Sequence, residues 1–176
     1  MDILWAPWRS KYIEGFKDEK TDPNNNPCFI CEAFNSNDDN KSLVVYRNNN
    51  CFVLMNKYPY NSGHLLIAPN NHLATLDEIG DDVLFEMMKT INLSINALKE
   101  LSNPHGFNIG INIGRVAGAG MPGHLHIHIV PRWNGDTSFM SVISNTKVIS
   151  QTLEETQVTV SYTHLRAHET PEHLVC

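Results

Sequence analysis

The stretch His124-Leu125-His126-Ile127-His128-Ile129-Val130 alternates histidine with aliphatic residues. In a β-strand successive side chains point to opposite faces, so this stretch predicts a strand over residues 125–130 with three imidazoles on one face. Leu125, Ile127 and Ile129 would then face the core, and Pro131 would end the strand. Three aligned imidazoles indicate either a metal site or nucleophilic catalysis, because histidine serves in both kinds of site.

A glycine-rich loop, residues 114–123, leads into this strand. Glycine allows the backbone to approach a ligand closely and to direct its N–H groups at an anion. Such a loop running into a histidine strand favours a phosphate group held beside a nucleophile.

The rest of the chain contains further short apolar runs that predict strands. With the histidine strand they make five, at residues 43–46, 51–55, 64–68, 107–113 and 125–130. Residues 81–101 predict a helix, because their apolar side chains recur at i, i+3, i+4 and i+7. Stretches rich in Asn and Asp predict turns at 35–42 and 47–50. Three strands, one helix and two strands in this order predict an α+β domain with a mainly antiparallel sheet.

Length and composition narrow the possible functions. The chain has 176 residues, enough for one domain, and its 41% hydrophobic and 18% charged residues are typical of a globular protein. A net charge of −6 argues against a nucleic-acid partner, because a phosphate backbone requires a basic face. No apolar run approaches the roughly 18 residues of a membrane span, and the first residues lack a signal-peptide pattern. We therefore expect a cytoplasmic protein without a membrane or nucleic-acid partner.

Two of the four cysteines form the motif Cys28-Phe29-Ile30-Cys31. A gap of two residues lets both thiolates reach one tetrahedral metal ion. The alternatives are two small buried side chains or a redox pair, although no thioredoxin-like strand and helix surround the motif.

Several of these motifs resemble the histidine triad (HIT) family. The histidine strand matches its His-φ-His-φ-His-φ-φ signature, in which φ is a hydrophobic residue, and residues 56–72 resemble its preceding strand pair. Leu4-Trp5-Ala6-Pro7-Trp8-Arg9 and Pro131-Arg132-Trp133 followed by Gly135-Asp136 resemble its bacterial diadenosine-polyphosphate branch. The resemblance covers about residues 1–157. It implies the HIT-like fold, a five-stranded antiparallel sheet with one long helix across it.

The resemblance also implies roles for individual residues. His126 would attack the α-phosphorus of a nucleotide and form a nucleotidyl-histidine intermediate. His128 would contact the phosphate and help to position the nucleophile, and His64 would be the fourth histidine of the site.

Substrate binding follows from the same resemblance. Asn56 would hold the ribose hydroxyls, and Asn112 with the loop Gly118-Ala119-Gly120 would hold the phosphate. Many relatives place a serine or threonine shortly before the triad, near the leaving group, whereas residues 119–123 contain no hydroxyl.

The resemblance implies further components of the protein. His72 and His124 would complete a structural zinc site with Cys28 and Cys31, and no organic cofactor is expected. The substrate would be a dinucleoside polyphosphate such as diadenosine tetraphosphate, and the protein a homodimer. A nucleoside phosphoramidate hydrolase and a nucleotide-binding adaptor without significant turnover remain alternatives.

The last 19 residues differ in character from the rest of the chain. They lack a helical or strand period, are rich in histidine, and look like adapter sequence translated past a break in an assembly. We therefore predict one HIT domain with an N-terminal arm over residues 1–157 and a non-native tail over residues 158–176.

Overall fold

Five antiparallel strands form one sheet in a computed structural model that describes residues 28–136 and 152–160. The strands are β1 (Val44–Arg47), β2 (Cys51–Met55), β3 (Leu65–Pro69), β4 (Gly106–Ile111) and β5 (Ile127–Arg132). The helices are α1 (Phe29–Asn35), α2 (Asp39–Ser42), α3 (Asp81–Ser102) and α4 (Leu153–Val160). The predicted N-terminal arm and most of the predicted tail lie outside the described residues.

The sheet order is β1-β2-β3-β5-β4, so the histidine strand β5 lies inside the sheet. It pairs with β3 on one side, where Leu66 lies opposite His128, and with β4 on the other, where Ile111 lies opposite Ile127. Of the three histidines, only His128 lies within β5, which is held by main-chain hydrogen bonds on both edges, whereas His124 and His126 lie in the segment that leads into it.

The two faces of the sheet bury separate apolar clusters. The 22-residue helix α3 packs on β2, β3 and β5 over a cluster that includes Leu125, Ile127 and Ile129, as the alternation predicted. Strand β2 shows the division, because Val53 belongs to this cluster whereas Phe52 belongs to the second cluster beside α1. The predicted α+β fold with a five-stranded antiparallel sheet and one long helix is confirmed. Among the described residues, no helix is both long and apolar enough to cross a bilayer.

The prediction of turns at residues 35–42 was wrong in part, because helix α2 lies there and α1 precedes it. In α1, Ile30 and Ala33 share one face by their spacing of three and are buried in the second cluster. In α2, the carboxylate of Asp38 accepts a hydrogen bond from the Lys41 N–H and caps the first turn. Both helices are too short for hydrophobic periodicity to identify them in the sequence.

Helix α4 extends beyond the domain boundary expected at residue 157. Val160 is buried in the α3 cluster, and the Gln157 side-chain amide donates to the Asp39 backbone oxygen at 2.8 Å. The expected boundary at 157 falls inside this helix, and we propose a boundary after Val160 instead. The burial of Val160 depends on contact with α3, which lies more than 50 positions earlier in the chain.

The helix α4 supplies a matched pair of valines for a test of this boundary. Val160→Ala should lower the free energy of unfolding by about 1–2 kcal/mol, because it removes buried methyl groups from the core. Val158→Ala should change it by less than about 0.5 kcal/mol, because Val158 is 58% exposed whereas Val160 is 1% exposed. Urea denaturation measures both values, and a chain ending at Val160 should match the full chain. Equal effects of the two substitutions, or a large loss in the shortened chain, would contradict the revised boundary.

Candidate active site

His126 lies in the extended segment that enters β5, and its side chain is buried. Its Nδ1 lies 2.8 Å from the backbone oxygen of His124. A carbonyl oxygen only accepts hydrogen bonds, so His126 Nδ1 carries the proton and donates it. His126 Nε2 consequently keeps its lone pair, which is the electronic state that a nucleophilic imidazole requires.

His64 and His128 form a hydrogen-bonded pair beside His126. His64 Nε2 lies 3.0 Å from His128 Nδ1, and the backbone N–H of Tyr60 donates to His64 Nδ1 at 3.0 Å. Because a backbone N–H only donates, His64 keeps its proton on Nε2 and donates it to His128. His128 then carries its own proton on Nε2, which has no hydrogen-bond partner within the described ranges. The pair therefore ends in one unused N–H donor.

Burial keeps the imidazoles neutral. It lowers the pKa of His128 to about 4, with a further contribution from the positive charge that His126 would carry. Burial also lowers the pKa of His126, and the hydrogen bond to the His124 oxygen offsets part of that effect. The His126 ring centroid lies 5.0 Å from that of His128. Both rings are neutral near pH 7, so one offers a lone pair and the other an N–H.

Asn56 follows β2 and contacts the fourth histidine of the site. Its Oδ1 accepts from the Tyr58 N–H at 2.9 Å, which turns its amide nitrogen toward His64 Nδ1 at 3.3 Å. One Oδ1 lone pair and one N–H remain for another partner. Asn56, predicted to bind ribose, is thus also part of the arrangement that fixes the His64 proton.

Asn112 and the glycine loop lie at the other side of the histidine strand. Ile111 pairs with Ile127, and Asn112 follows Ile111 just as His126 precedes Ile127, so the two residues lie at the same end of the β4–β5 pair. The Asn112 side-chain amide lies 3.5 Å from the Gly118 oxygen, and Gly118 has φ +94°, which disfavours other residues. Ala119 is buried and Gly120 exposed. The predicted phosphate loop therefore begins near His126.

A second group of side chains forms the Cys/His cluster, which consists of Cys28, Cys31, His72 and His124. Their ligand atoms all lie within 4.8 Å of one another. The Sγ atoms of Cys28 and Cys31 lie 3.4 Å from His124 Nδ1, and Cys31 Sγ lies 3.2 Å from His72 Nδ1. Ligands of a tetrahedral zinc ion are separated by roughly 3.3–3.8 Å. The four residues can hold a metal ion, and their two thiols and two imidazoles suit zinc.

Local structure brings the four ligands together. Cys28 caps α1 and Cys31 lies in its first turn, so their i, i+3 spacing puts both thiols on one side of the helix. His124 Nε2–H donates to the Pro69 backbone oxygen at 3.0 Å, which turns Nδ1 toward the thiols. A Cβ at Gly123 would lie 3.3 Å from His72 Nε2, so glycine makes room for that ring. Burial, together with a hydrogen bond and charge interaction with Cys28, raises the pKa of Cys31 to about 11. Metal binding must therefore displace protons.

The structure divides the three histidines of the triad between two sites. His124 belongs to the Cys/His cluster, whereas His126 and His128 lie with His64. Sequence reasoning missed Tyr60, the Pro69 carbonyl that orients His124, and the Asn61 side chain, which donates to the Pro131 oxygen at 3.0 Å. None of these has a sequence signal, because each acts through the path of the backbone or through a loop amide.

Comparison with known proteins identifies the family. The HIT domain family matches residues 37–135. An AP-4-A phosphorylase from Mycobacterium tuberculosis is 38% identical over 156 residues, which cover 88% of this chain and 80% of that protein. A histidine triad nucleotide-binding protein from Sulfolobus tokodaii superposes with a TM-score of 0.61 at 28% identity, covering 76% of this chain and 89% of the other. A zinc-bound histidine triad family protein from Mycobacterium smegmatis has a TM-score of 0.56 at 25% identity, with coverages of 68% and 81%.

The chain therefore belongs to the HIT domain family. The resemblance inferred from the histidine strand and its flanking motifs is confirmed, including the likeness to a bacterial diadenosine-polyphosphate enzyme.

The His64–His128 pair makes a spectroscopic prediction. At pH 6, where an ordinary histidine with a pKa near 6.5 is mostly protonated, His128 should be neutral with its proton on Nε2. The reason is that burial opposes the imidazolium form and His64 already donates to Nδ1. Long-range proton–nitrogen correlation spectra of the imidazoles report this state, with the exposed His105 as the comparison. A protonated His128 at pH 6, or a proton on its Nδ1, would contradict the hydrogen-bond direction.

Proposed function

We propose that this HIT-family protein cleaves dinucleoside polyphosphates, with diadenosine tetraphosphate as the first substrate to test, and that His126 is its nucleophile. The similarity to the AP-4-A phosphorylase of M. tuberculosis supports the substrate class, because it extends over most of both chains. The geometry around His126 supports the role of the residue.

The observation that carries the proposal is the hydrogen bond from His126 Nδ1 to the His124 oxygen at 2.8 Å. This bond fixes the tautomer of His126 and the plane of its ring. Nε2 needs no general base to remove a proton before it attacks phosphorus. The Nε2–P bond would form as the bond from phosphorus to the leaving polyphosphate oxygen breaks. The result would be a nucleotidyl-histidine and a free nucleotide such as ATP.

His128 would stabilise the charge that develops during this transfer. Its Nε2–H lacks a partner among the residues described and belongs to the ring next to His126. A donor held in place before the reaction can bind a phosphate oxygen without reorganisation. His64 would act through His128, because its Nε2–H occupies His128 Nδ1 and leaves only Nε2 for the substrate.

Binding of the nucleotide would use groups on both sides of the nucleophile. Asn56 would hold a ribose hydroxyl with the lone pair and N–H that its contacts leave free. Asn112, Gly118, Ala119 and Gly120 would hold the phosphates, because the loop follows Ile111, which pairs with Ile127 next to His126. The N–H groups of Gly118 and Ala119 donate to the oxygens of Arg115 and Gly114, and they would exchange these partners for phosphate. Since residues 119–123 offer no side-chain hydroxyl, donors to the leaving group would be backbone N–H groups or His128.

In the second step a water molecule or inorganic phosphate would attack the phosphorus of the intermediate. The P–Nε2 bond would break, and its electron pair would return to His126 Nε2. Attack by water gives AMP from an adenylylated enzyme, whereas attack by phosphate gives ADP. The products therefore distinguish a hydrolase from a phosphorylase.

Zinc is the metal that we propose for the Cys/His cluster. The donor set, the ligand separations and the similarity to a zinc-bound family member support it. Cys28, Cys31, His72 and His124 would supply four ligands, which is typical of a structural site. The ion would tie α1 and the loop after β3 to the start of the histidine strand. The proposal includes no organic cofactor.

We also propose a homodimer formed through β4. This strand is an edge of the sheet, and Ile109 on it and Ile113 just beyond it are exposed. An edge strand with unpaired main-chain groups and apolar side chains can pair with a second copy. Strand β4 also pairs with β5, so such a dimer would extend the sheet from the histidine strand.

Turnover of diadenosine tetraphosphate with and without inorganic phosphate tests the function. ADP with ATP indicates phosphorolysis, and AMP with ATP indicates hydrolysis. His126→Ala should lower kcat by at least about a thousand-fold, because it removes the nucleophile. His105→Ala, at an exposed histidine outside the site, should retain full activity. If His126→Ala keeps more than about a tenth of the activity, the nucleophile is a different group.

Metal analysis tests the zinc proposal. Protein purified without chelator should contain one zinc per chain, and Cys28→Ser should lower Tm by more than about 5 °C, because a structural ion contributes to folding. His126→Ala, on the same segment but outside the cluster, is the control and should lower Tm less. Absence of metal from the purified protein would refute the proposal.

A further inference from the structure

We propose that Tyr60 is a positioning residue for His128, whose ring it holds in the plane that directs Nε2–H at the substrate phosphate. Tyr60 lies in the loop between β2 and β3. The proposal rests on the proposed role of His128 in phosphate transfer, and one arm of the test below does not depend on turnover.

The backbone of Tyr60 determines the direction of the hydrogen bonds in the pair. Its N–H donates to His64 Nδ1 at 3.0 Å, and His64 Nε2–H donates to His128 Nδ1 at 3.0 Å. These bonds fix which nitrogen of each ring carries the proton. They do not by themselves fix the plane of His128, because the Cβ–Cγ torsion of histidine is broad.

The side chain of Tyr60 supplies the missing constraint. Its ring is nearly parallel to that of His128, with an interplanar angle of 16° and a centroid distance of 5.9 Å. It also contacts His64, at a centroid distance of 4.8 Å and an angle of 37°. Both distances lie in the range of favourable aromatic pairs, roughly 4.5–7 Å. The Tyr60 ring therefore packs against both imidazoles of the pair.

His128 is enclosed by three rings. His126 lies on one side at 5.0 Å and an angle of 60°, and His64 lies at 5.2 Å. Tyr60 completes the enclosure, while 52% of its own surface remains exposed. Loss of the tyrosine ring would open His128 to water and allow its plane to rotate. Rotation weakens the bond from His64, because hydrogen bonds depend steeply on angle.

Hydrogen bonds before and after Tyr60 in the sequence hold its loop in place, and they thereby fix the position of the Tyr60 ring. Asn56 Oδ1 accepts from a backbone N–H of the loop at 2.9 Å. On the other side, the Asn61 amide donates to the Pro131 oxygen at 3.0 Å and to Asp136 Oδ2 at 2.9 Å. Asn61 thereby connects the residue next to Tyr60 to the end of the histidine strand.

Three variants distinguish the effect of the Tyr60 ring from effects of the rest of the loop. Tyr60→Ala removes the ring and leaves the backbone N–H, Tyr60→Phe keeps the ring without the hydroxyl, and Tyr58→Ala is the control. Tyr58 lies two residues away and is 78% exposed. Each variant is assayed for kcat and KM on diadenosine tetraphosphate, and its imidazole proton–nitrogen correlation spectrum is recorded.

Tyr60→Ala should lower kcat roughly tenfold and change KM by less than about threefold, because it alters the donor and not the binding groups. In its spectrum His128 should change from one tautomer, with the proton on Nε2, to a mixture. Tyr60→Phe and Tyr58→Ala should match the parent protein in both measurements. If Tyr60→Ala unfolds near the assay temperature, Tyr60→Leu replaces it with the same expectations, since leucine fills space without an aromatic plane.

Three results would overturn the proposal. The first is a Tyr60→Ala protein with unchanged kcat and a single His128 tautomer. The second is a Tyr60→Phe protein as impaired as Tyr60→Ala, which would assign the effect to the hydroxyl. The third is a change in KM alone, which would assign the ring to nucleotide binding. If the parent protein does not cleave dinucleotides, the proposed function fails, and the tautomer of His128 in Tyr60→Ala still decides the positioning role.

Discussion

The site depends on His124, because its side chain and its backbone oxygen each make a contact that positions other residues of the site. Its imidazole faces the two thiols near α1, while its backbone oxygen accepts the hydrogen bond from His126 Nδ1. The backbone oxygen that fixes the tautomer of His126 therefore belongs to a residue whose side chain lies in the Cys/His cluster. A displacement of His124 within the Cys/His cluster would move the acceptor of His126. The cluster thus stabilises more than the end of a strand, because it also sets the position of one hydrogen-bond acceptor in the site.

His64, His124 and His126 are buried and His128 is partly buried. Such imidazoles are costly to bury unless their nitrogen atoms form hydrogen bonds, and here several of these bonds are made to main-chain groups. Backbone carbonyls accept from His124 and His126, and a backbone N–H donates to His64. Each main-chain group can act only as a donor or only as an acceptor, so each histidine has one possible tautomer. This chain of hydrogen bonds ends at His128 Nε2. Among the described residues, it is the one ring nitrogen of the His64–His128 pair that has no hydrogen-bond partner. The folded chain therefore presents a lone pair on His126 Nε2 and an N–H donor on His128 Nε2, and neither ring is charged.

Much of this fold could be predicted from the order of the residues. The parts that could not be predicted are elements too short to show a period, or they depend on contacts with distant residues. Alternation in the histidine strand predicted which side chains join the core, and Leu125, Ile127 and Ile129 are all buried there. The residues of the Cys/His cluster were expected together from family resemblance, and the fold brings them within reach of one ion. By contrast, α1 and α2 are too short to show a period, and Val160 is buried by a contact with distant α3. Tyr60 could not be identified because its role depends on how a turn places one ring over two others.

The spacing of the triad separates the Cys/His cluster from the proposed phosphate site, although both sites lie on one continuous segment of the chain. Residues two positions apart in a strand are separated by roughly 6.5–7 Å, so a metal ion bound to His124 lies beyond bonding distance of His126. Four ligands close a tetrahedral ion and leave no position for a substrate oxygen. In the proposed mechanism, N–H groups such as His128 Nε2–H would stabilise the charge at the phosphate. The position and tautomer of His128 matter more in this mechanism than its ability to change charge, because burial lowers its pKa and keeps its N–H donor neutral.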